Sequence, residues 1–179
     1  MRMIKHKNKK AFSLIEALVA ISILMIGILS AFILVIRTLA NIPHVQSRLI
    51  AANLAQEGIE LVRQIRDTNF INSATFRSGL ESGEYQIDAS ERTLYPFNQI
   101  DFLKFDHENK IYSYNSGDKN PFFFQRKIVI SDIDEKTNVF RLSSIVTWCV
   151  KRNEIQCLQK PTYTLNVEDH LYNYYKVAE

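Results

Sequence analysis

From Ala11 to Ile36 the chain runs for 26 residues with a single ionisable side chain, Glu16. At about 1.5 Å per residue, a helix of that length more than crosses the roughly 30 Å hydrocarbon core of a bilayer. A secretory signal peptide has a shorter apolar core, about 7 to 15 residues, closed by an Ala-x-Ala cleavage pattern. This run ends at Arg37 without one, so a retained membrane-spanning helix is predicted. A carboxylate inside such a helix is costly in lipid, and Glu16 therefore calls for a function.

Charge fixes the expected orientation. Before the apolar run, "MRMIKHKNKK" holds Arg2, Lys5, Lys7, Lys9 and Lys10 and no acid, whereas only Arg37 and Arg48 follow it before residue 60. The positive-inside rule then predicts a cytoplasmic N-terminus and an exported remainder. Without those first residues the formal net charge falls from +3 to −2. The basic balance is thus a targeting feature and gives no support to a nucleic-acid surface.

Beyond the run, Val45, Leu49, Ala52, Ala55, Ile59, Val62 and Ile65 recur at steps of three and four, the stripe of an amphipathic helix. Gln46, Arg48, Asn53, Glu57, Glu60, Arg63 and Arg66 are expected on its polar side. Pro43 removes one backbone donor, and a kink or short break is expected there. One long helix is therefore read from Phe12 to about Arg66.

From Asp67 the period changes. Turn clusters such as "RSGLESGE", "NSGDKNP" and "SDIDEKTN" separate aromatic and β-branched segments: 85–89, 103–106, 111–114, 122–130, 139–150 and 163–167. The fold class is α+β, a long N-terminal helix packed on a small antiparallel sheet. Residues 67–101 read as an irregular connection. Trp148 is expected in the core or a hairpin, and Tyr172, Tyr174 and Tyr175 over a sheet edge. Cys149 and Cys157 flank "VKRNEIQ" and could face each other across a hairpin. A disulfide there would stabilise by roughly 2 to 3 kcal/mol; two reduced thiols on paired strands are the alternative.

The order of features in "KKAFSLIEALVAISILMIGIL" is a basic leader, a small residue, Phe12, two aliphatics before Glu16, then a long apolar stretch. It resembles the N-terminal signal of type IV pilins and pseudopilins. The resemblance implies that a prepilin peptidase cuts between Ala11 and Phe12 and methylates the new amine of Phe12. Glu16 then holds the family's acidic position, where it contacts an adjacent subunit during assembly. Glycine is usual before the cut; Ala11 stands there in this chain. A weaker resemblance, carried by "AANLAQEGIELVRQIRDTNF", "FFFQRKIVISDIDE", "SSIVTW" and "VEDHLYNYY", is to minor pilins of the pilus modification type.

The resulting division is a leader at 1–11, a transmembrane and filament-core helix at 12–36, its amphipathic continuation at 37–66 and an exported head at 67–179. Expected partners are the prepilin peptidase, other pilin or pseudopilin subunits, the assembly platform and inner-membrane lipid. The expected location is a single-pass membrane protein that passes into a cell-surface or periplasmic filament.

No phosphate-binding loop and no nucleophile, base and acid set is evident, so neither an enzyme nor a cofactor is expected. His44, His107 and His170 are scattered without ligand spacing. Asp132, Asp134 and Glu135 offer hard oxygens to calcium, but a solvated turn explains them as well. The competing functional reading is a monomeric, single-pass anchored binding or sensor domain. It requires no cut at Ala11 and no use for Glu16.

Overall fold

The computed structural model describes residues 13–72, 75–134, 139–150, 154–159 and 163–173, with the side chains of 132–134 and 154 outside the description. The chain forms two compact units, one up to Ile42 and one from Pro43. Helix α1 spans Leu14–Ile71 and contributes to both.

In the first unit α1 is the only described element, and its apolar side chains lie open. A helix exposing Leu, Ile, Val and Phe all round is stable where lipid or other helices replace water. Its few hydroxyls are spent internally. Ser22 donates to the Leu18 carbonyl at 2.8 Å, Ser30 to Ile26 at 2.7 Å and Thr38 to Leu34 at 2.9 Å. Such back-bonding leaves no hydroxyl seeking water in an apolar surround.

The second unit begins with Pro43, through which the helix assignment continues. The expected break is absent, because a proline deletes one hydrogen bond while the turns on either side keep theirs. The helix also runs five residues past the expected end at Arg66. After it come β1 (Gly83–Gln86), β2 (Tyr95–Pro96), β3 (Lys104–Asp106), β4 (Ile111–Ser113), β5 (Asp118–Lys119), β6 (Gln125–Asp134), β7 (Val139–Trp148), α2 (Glu154–Gln159) and β8 (Tyr163–Tyr172).

Not one sheet but two result, both antiparallel. Five strands follow the order β2-β1-β6-β7-β8, and three follow β4-β3-β5. The long pairings are β6 with β7, with Ile128 opposite Ser144, and β7 with β8, with Val146 opposite Leu165. Alternation along these strands puts Ile128, Ile130, Phe140, Leu142 and Leu171 on the face that meets Ile59, Leu61 and Val62 of α1. A neighbouring cluster joins Ala51, Leu54 and Ala55 to Leu103, Phe124, Val146 and Trp148. Burial of each such large side chain contributes about 1.5 to 3 kcal/mol.

The buried face of α1 is Ser47, Ala51, Leu54, Ala55, Gly58, Ile59, Leu61, Val62 and Arg66. It departs from the expected stripe at both ends: Val45 and Leu49 are exposed, Ala52 and Ile65 are half-buried, and Arg66, expected on the polar side, is buried, with its Nε 2.8 Å from Asp67 Oδ1. Small residues decide the rotation. A Cβ at Gly58 would lie 2.6 Å from Ser144 Oγ and 2.9 Å from Ile128 Cδ1, so helix and sheet approach there as only glycine permits.

Arg126 sits where the two layers meet. It shares the inward parity of Ile128 and Ile130 and is wholly buried. Its Nε donates to the Ile87 carbonyl at 3.1 Å and its Nη2 to the same oxygen; Nη1 reaches the Leu54 carbonyl at 2.9 Å and Glu57 Oε2 at 3.2 Å. One guanidinium thus ties α1, β6 and the segment after β1. The Tyr114 hydroxyl, on a half-buried side chain, donates to the Arg126 carbonyl at 2.9 Å, and desolvation pushes its pKa up to about 12.

The two sheets are joined at Asp88. Its Oδ1 accepts from the Ser90 amide (3.1 Å), the Ser90 hydroxyl (2.7 Å) and the Glu91 amide (3.0 Å). Its Oδ2 accepts from the Ser113 hydroxyl and the Tyr114 amide, both at 3.0 Å. Burial alone would raise the pKa, but these five bonds outweigh it and the pKa lies below the ordinary 3.8. A depressed folded pKa means that the stabilisation is full above the unfolded value and fades as pH falls through the folded one. Urea midpoints measured against pH should therefore drop below about pH 4. Asp88→Asn should flatten that acid limb and lower stability at pH 7 by about 1 to 3 kcal/mol.

Cys149, just past β7, and Cys157, on α2, are joined with their Cα atoms 5.8 Å apart. The bridge does not cross a hairpin: α2 begins within the polar stretch and carries Cys157, so strand end is tied to helix. Closing an eight-residue separation predicts that reduction of the detergent-solubilised protein lowers its unfolding free energy by about 2 to 3 kcal/mol. An unchanged urea midpoint in reductant would contradict this.

Candidate functional site

Ser13 precedes α1, and its carbonyl accepts the Ala17 amide at 3.1 Å, closing the first turn. Glu16 stands in that turn, exposed, among Leu14, Ile15, Leu18 and Val19, which are exposed as well. A negative group is favoured near the positive end of the helix dipole. Among the described residues Glu16 has no hydrogen bond and no ion pair. Between Ala17 and Ile36 the hydroxyls of Ser22 and Ser30 are internally bonded. The carboxylate is therefore the one charged group between Leu14 and Ile36, and its chemistry allows it to accept a positive partner.

Ala11 and Phe12 lie outside the described residues, as do Glu135, Tyr174, Tyr175 and the side chains of Asp132 and Asp134. Of the remaining candidates, His107 lies 3.8 Å from Asp118, both exposed, and His170 is on β8. No group of three or more potential metal ligands occurs among the described residues. Tyr172 ends β8 at the edge of the five-stranded sheet.

Two features of the head escape a reading by hydrophobic period. One is the Arg126 junction, although its parity in "QRKIVI" points inward. The other is a groove of about 520 Å³ between α1 residues His44 to Arg48 and β8 residues Tyr163 to Leu165, with Trp148 between them. Its walls come from segments more than 100 residues apart in the chain, so no local pattern announces it.

Residues 6–32 match the family described as the prokaryotic N-terminal methylation motif. The chain thus carries a type IV pilin-like prepilin signal, with Ala11, Phe12 and Glu16 inside the matched span. With that signal goes an α+β arrangement of pilin-like kind, a long N-terminal helix packed by its later part on an antiparallel sheet. No curated protein and no solved structure matches the chain.

Proposed function

We propose that the protein is a structural subunit, of minor pilin or pseudopilin kind, of a type IV pilus or a related secretion or DNA-uptake filament. The observation that carries this reading is Glu16, an exposed carboxylate on an apolar helix with no partner among the described residues, set within the methylation-motif match.

In this account the leader 1–11 stays cytoplasmic and the head is exported, as the leader's five positive charges favour. The prepilin peptidase hydrolyses the Ala11–Phe12 bond and methylates the amine released on Phe12. That amine is cationic at neutral pH. It stands four residues before Glu16 in the sequence. Each charge alone is expensive in lipid, by about 2.5 kcal/mol or more for a central position. Pairing Glu16 of an incoming subunit with the amine of its neighbour offsets part of both costs and fixes their axial stagger. The segment 12–36 then packs in the filament core, and the sheet-bearing head faces outward. The reaction chemistry belongs to the peptidase; this chain is its substrate and a building block.

The reading is tested by fractionation. Cells with an active peptidase should carry the protein in the sheared or periplasmic filament fraction, and cells lacking the peptidase should hold all of it in the membrane. Membrane retention in both strains would favour an anchored monomeric domain instead.

A further inference from the structure

We propose that the groove between α1 and β8 seats the apolar helix of a neighbouring pilin-like subunit, with that helix's lone carboxylate held by Arg48. The inference rests on the filament reading above and assigns a second contact surface within it.

The groove is built and rigid. The indole of Trp148 donates to Ser47 Oγ at 3.1 Å, and that hydroxyl donates to the His44 carbonyl at 3.0 Å, fixing the floor to the helix. Tyr163 stacks on Trp148 with ring centroids 5.5 Å apart, and the His44 ring meets Tyr163 edge-on at 5.9 Å. Side chains held this way lose little freedom when something binds, which favours affinity.

Its rim asks for two things at once. Val45 on the rim is 69% exposed, and Leu49, one helical turn further along α1 and outside the groove's own lining, is 63% exposed, on a helix segment whose other face is packed on the sheet. Large aliphatic side chains left open beside an aromatic floor mark an interaction surface rather than ordinary solvent exposure. Arg48, also on the rim, is exposed and has no hydrogen bond or ion pair among the described residues. No acid is among the described residues that line the groove. The complementary partner is therefore an aliphatic surface carrying one carboxylate within about a turn.

A helix bearing the prepilin signal has that chemistry. In this chain Glu16 lies among Leu14, Ile15, Leu18 and Val19, all exposed. A carboxylate has two oxygens and room for several donors, so it can accept a guanidinium and a neighbour's amine together. Helix in groove, anchored by aliphatic side chains at helical spacing and fixed by one ion pair, is a recurring recognition mode.

The test uses the full-length protein in cells with their own filament machinery and a photo-crosslinking benzoylphenylalanine at Val45, with a second probe at Leu49. Adduct sites are read by mass spectrometry. The expected adduct is to the N-terminal apolar helix of another subunit carrying the signal, this chain or a related one. Arg48→Glu should lower its yield at least fivefold while the processed mass and the Cys149–Cys157 disulfide are unchanged. Adducts confined to phospholipid or to other proteins' heads, or a yield indifferent to Arg48→Glu, would overturn the proposal. Its failure is distinct from failure of the filament reading, which would show as an unprocessed chain absent from the filament fraction.

Discussion

Glu16→Ala is expected to abolish most incorporation into filaments while membrane insertion stays intact or improves. The substitution removes the one charge of the apolar run, so the helix becomes a better membrane span, by up to about 2.5 kcal/mol, the figure for a charge at the bilayer centre, since Glu16 lies near one end of the run. An account in which hydrophobicity alone matters predicts no loss. The charge-pair account predicts that a neighbour's amine loses its partner, and that extraction from the membrane no longer has a favourable contact to offset it. Glu16→Gln separates charge from size, since it keeps the volume and the hydrogen-bonding tip. It should resemble the alanine variant if charge is the agent. The ratio of filament to membrane protein, by immunodetection in otherwise native cells, reads the effect. Wild-type incorporation by both variants would remove the charge pair from the account.

The largest expected effect on stability is at Arg126. Truncation to alanine leaves the Ile87 carbonyl without the two bonds it accepts from the guanidinium and opens a void at the junction of α1, β6 and the segment after β1. The Leu54 carbonyl loses one donor as well. Glu57 is partly exposed and water can solvate it, so the ion pair itself counts for little. An orphaned buried carbonyl costs about 1 to 3 kcal/mol, and a vacated buried stem adds a cavity term of similar size. A loss of roughly 4 kcal/mol follows, or on the order of 10 °C in melting temperature for a chain of this size. Arg126→Met restores most of the volume but not the donors, and should recover part of the loss. Thermal unfolding followed by circular dichroism measures both. Equal melting of Arg126→Ala and wild type would show that the guanidinium is not what joins helix to sheet.

How far the sequence reveals this molecule depends on the range of the interactions involved. The apolar run, its lone acid and the basic leader are local and contiguous, and the period of "RKIVI" and "FRLSSIVTW" identifies β6 and β7. The helix face was harder to place. Val45 and Leu49 look like core by their size, yet Ser47, Ala51 and Gly58 are the residues that pack, because close approach rewards small side chains. A stripe chosen for large aliphatics therefore turns toward solvent at its start, meets the buried face at Ile59 and Val62, and parts from it again at Ile65 and Arg66. The second, three-stranded sheet leaves no signal of its own in the sequence because its strands have two or three residues each, too short to show a period. Helix α2, six residues around Cys157, is likewise too short. Asp88 and the groove arise from residues distant in sequence, and nothing local signals either.

Intact-mass and N-terminal analysis of the protein from its native membrane, with and without an active prepilin peptidase, tests the central claim most directly. The account predicts peptidase-dependent loss of residues 1–11 and a single added methyl group on Phe12. A chain that keeps Met1 in the presence of active peptidase would contradict it.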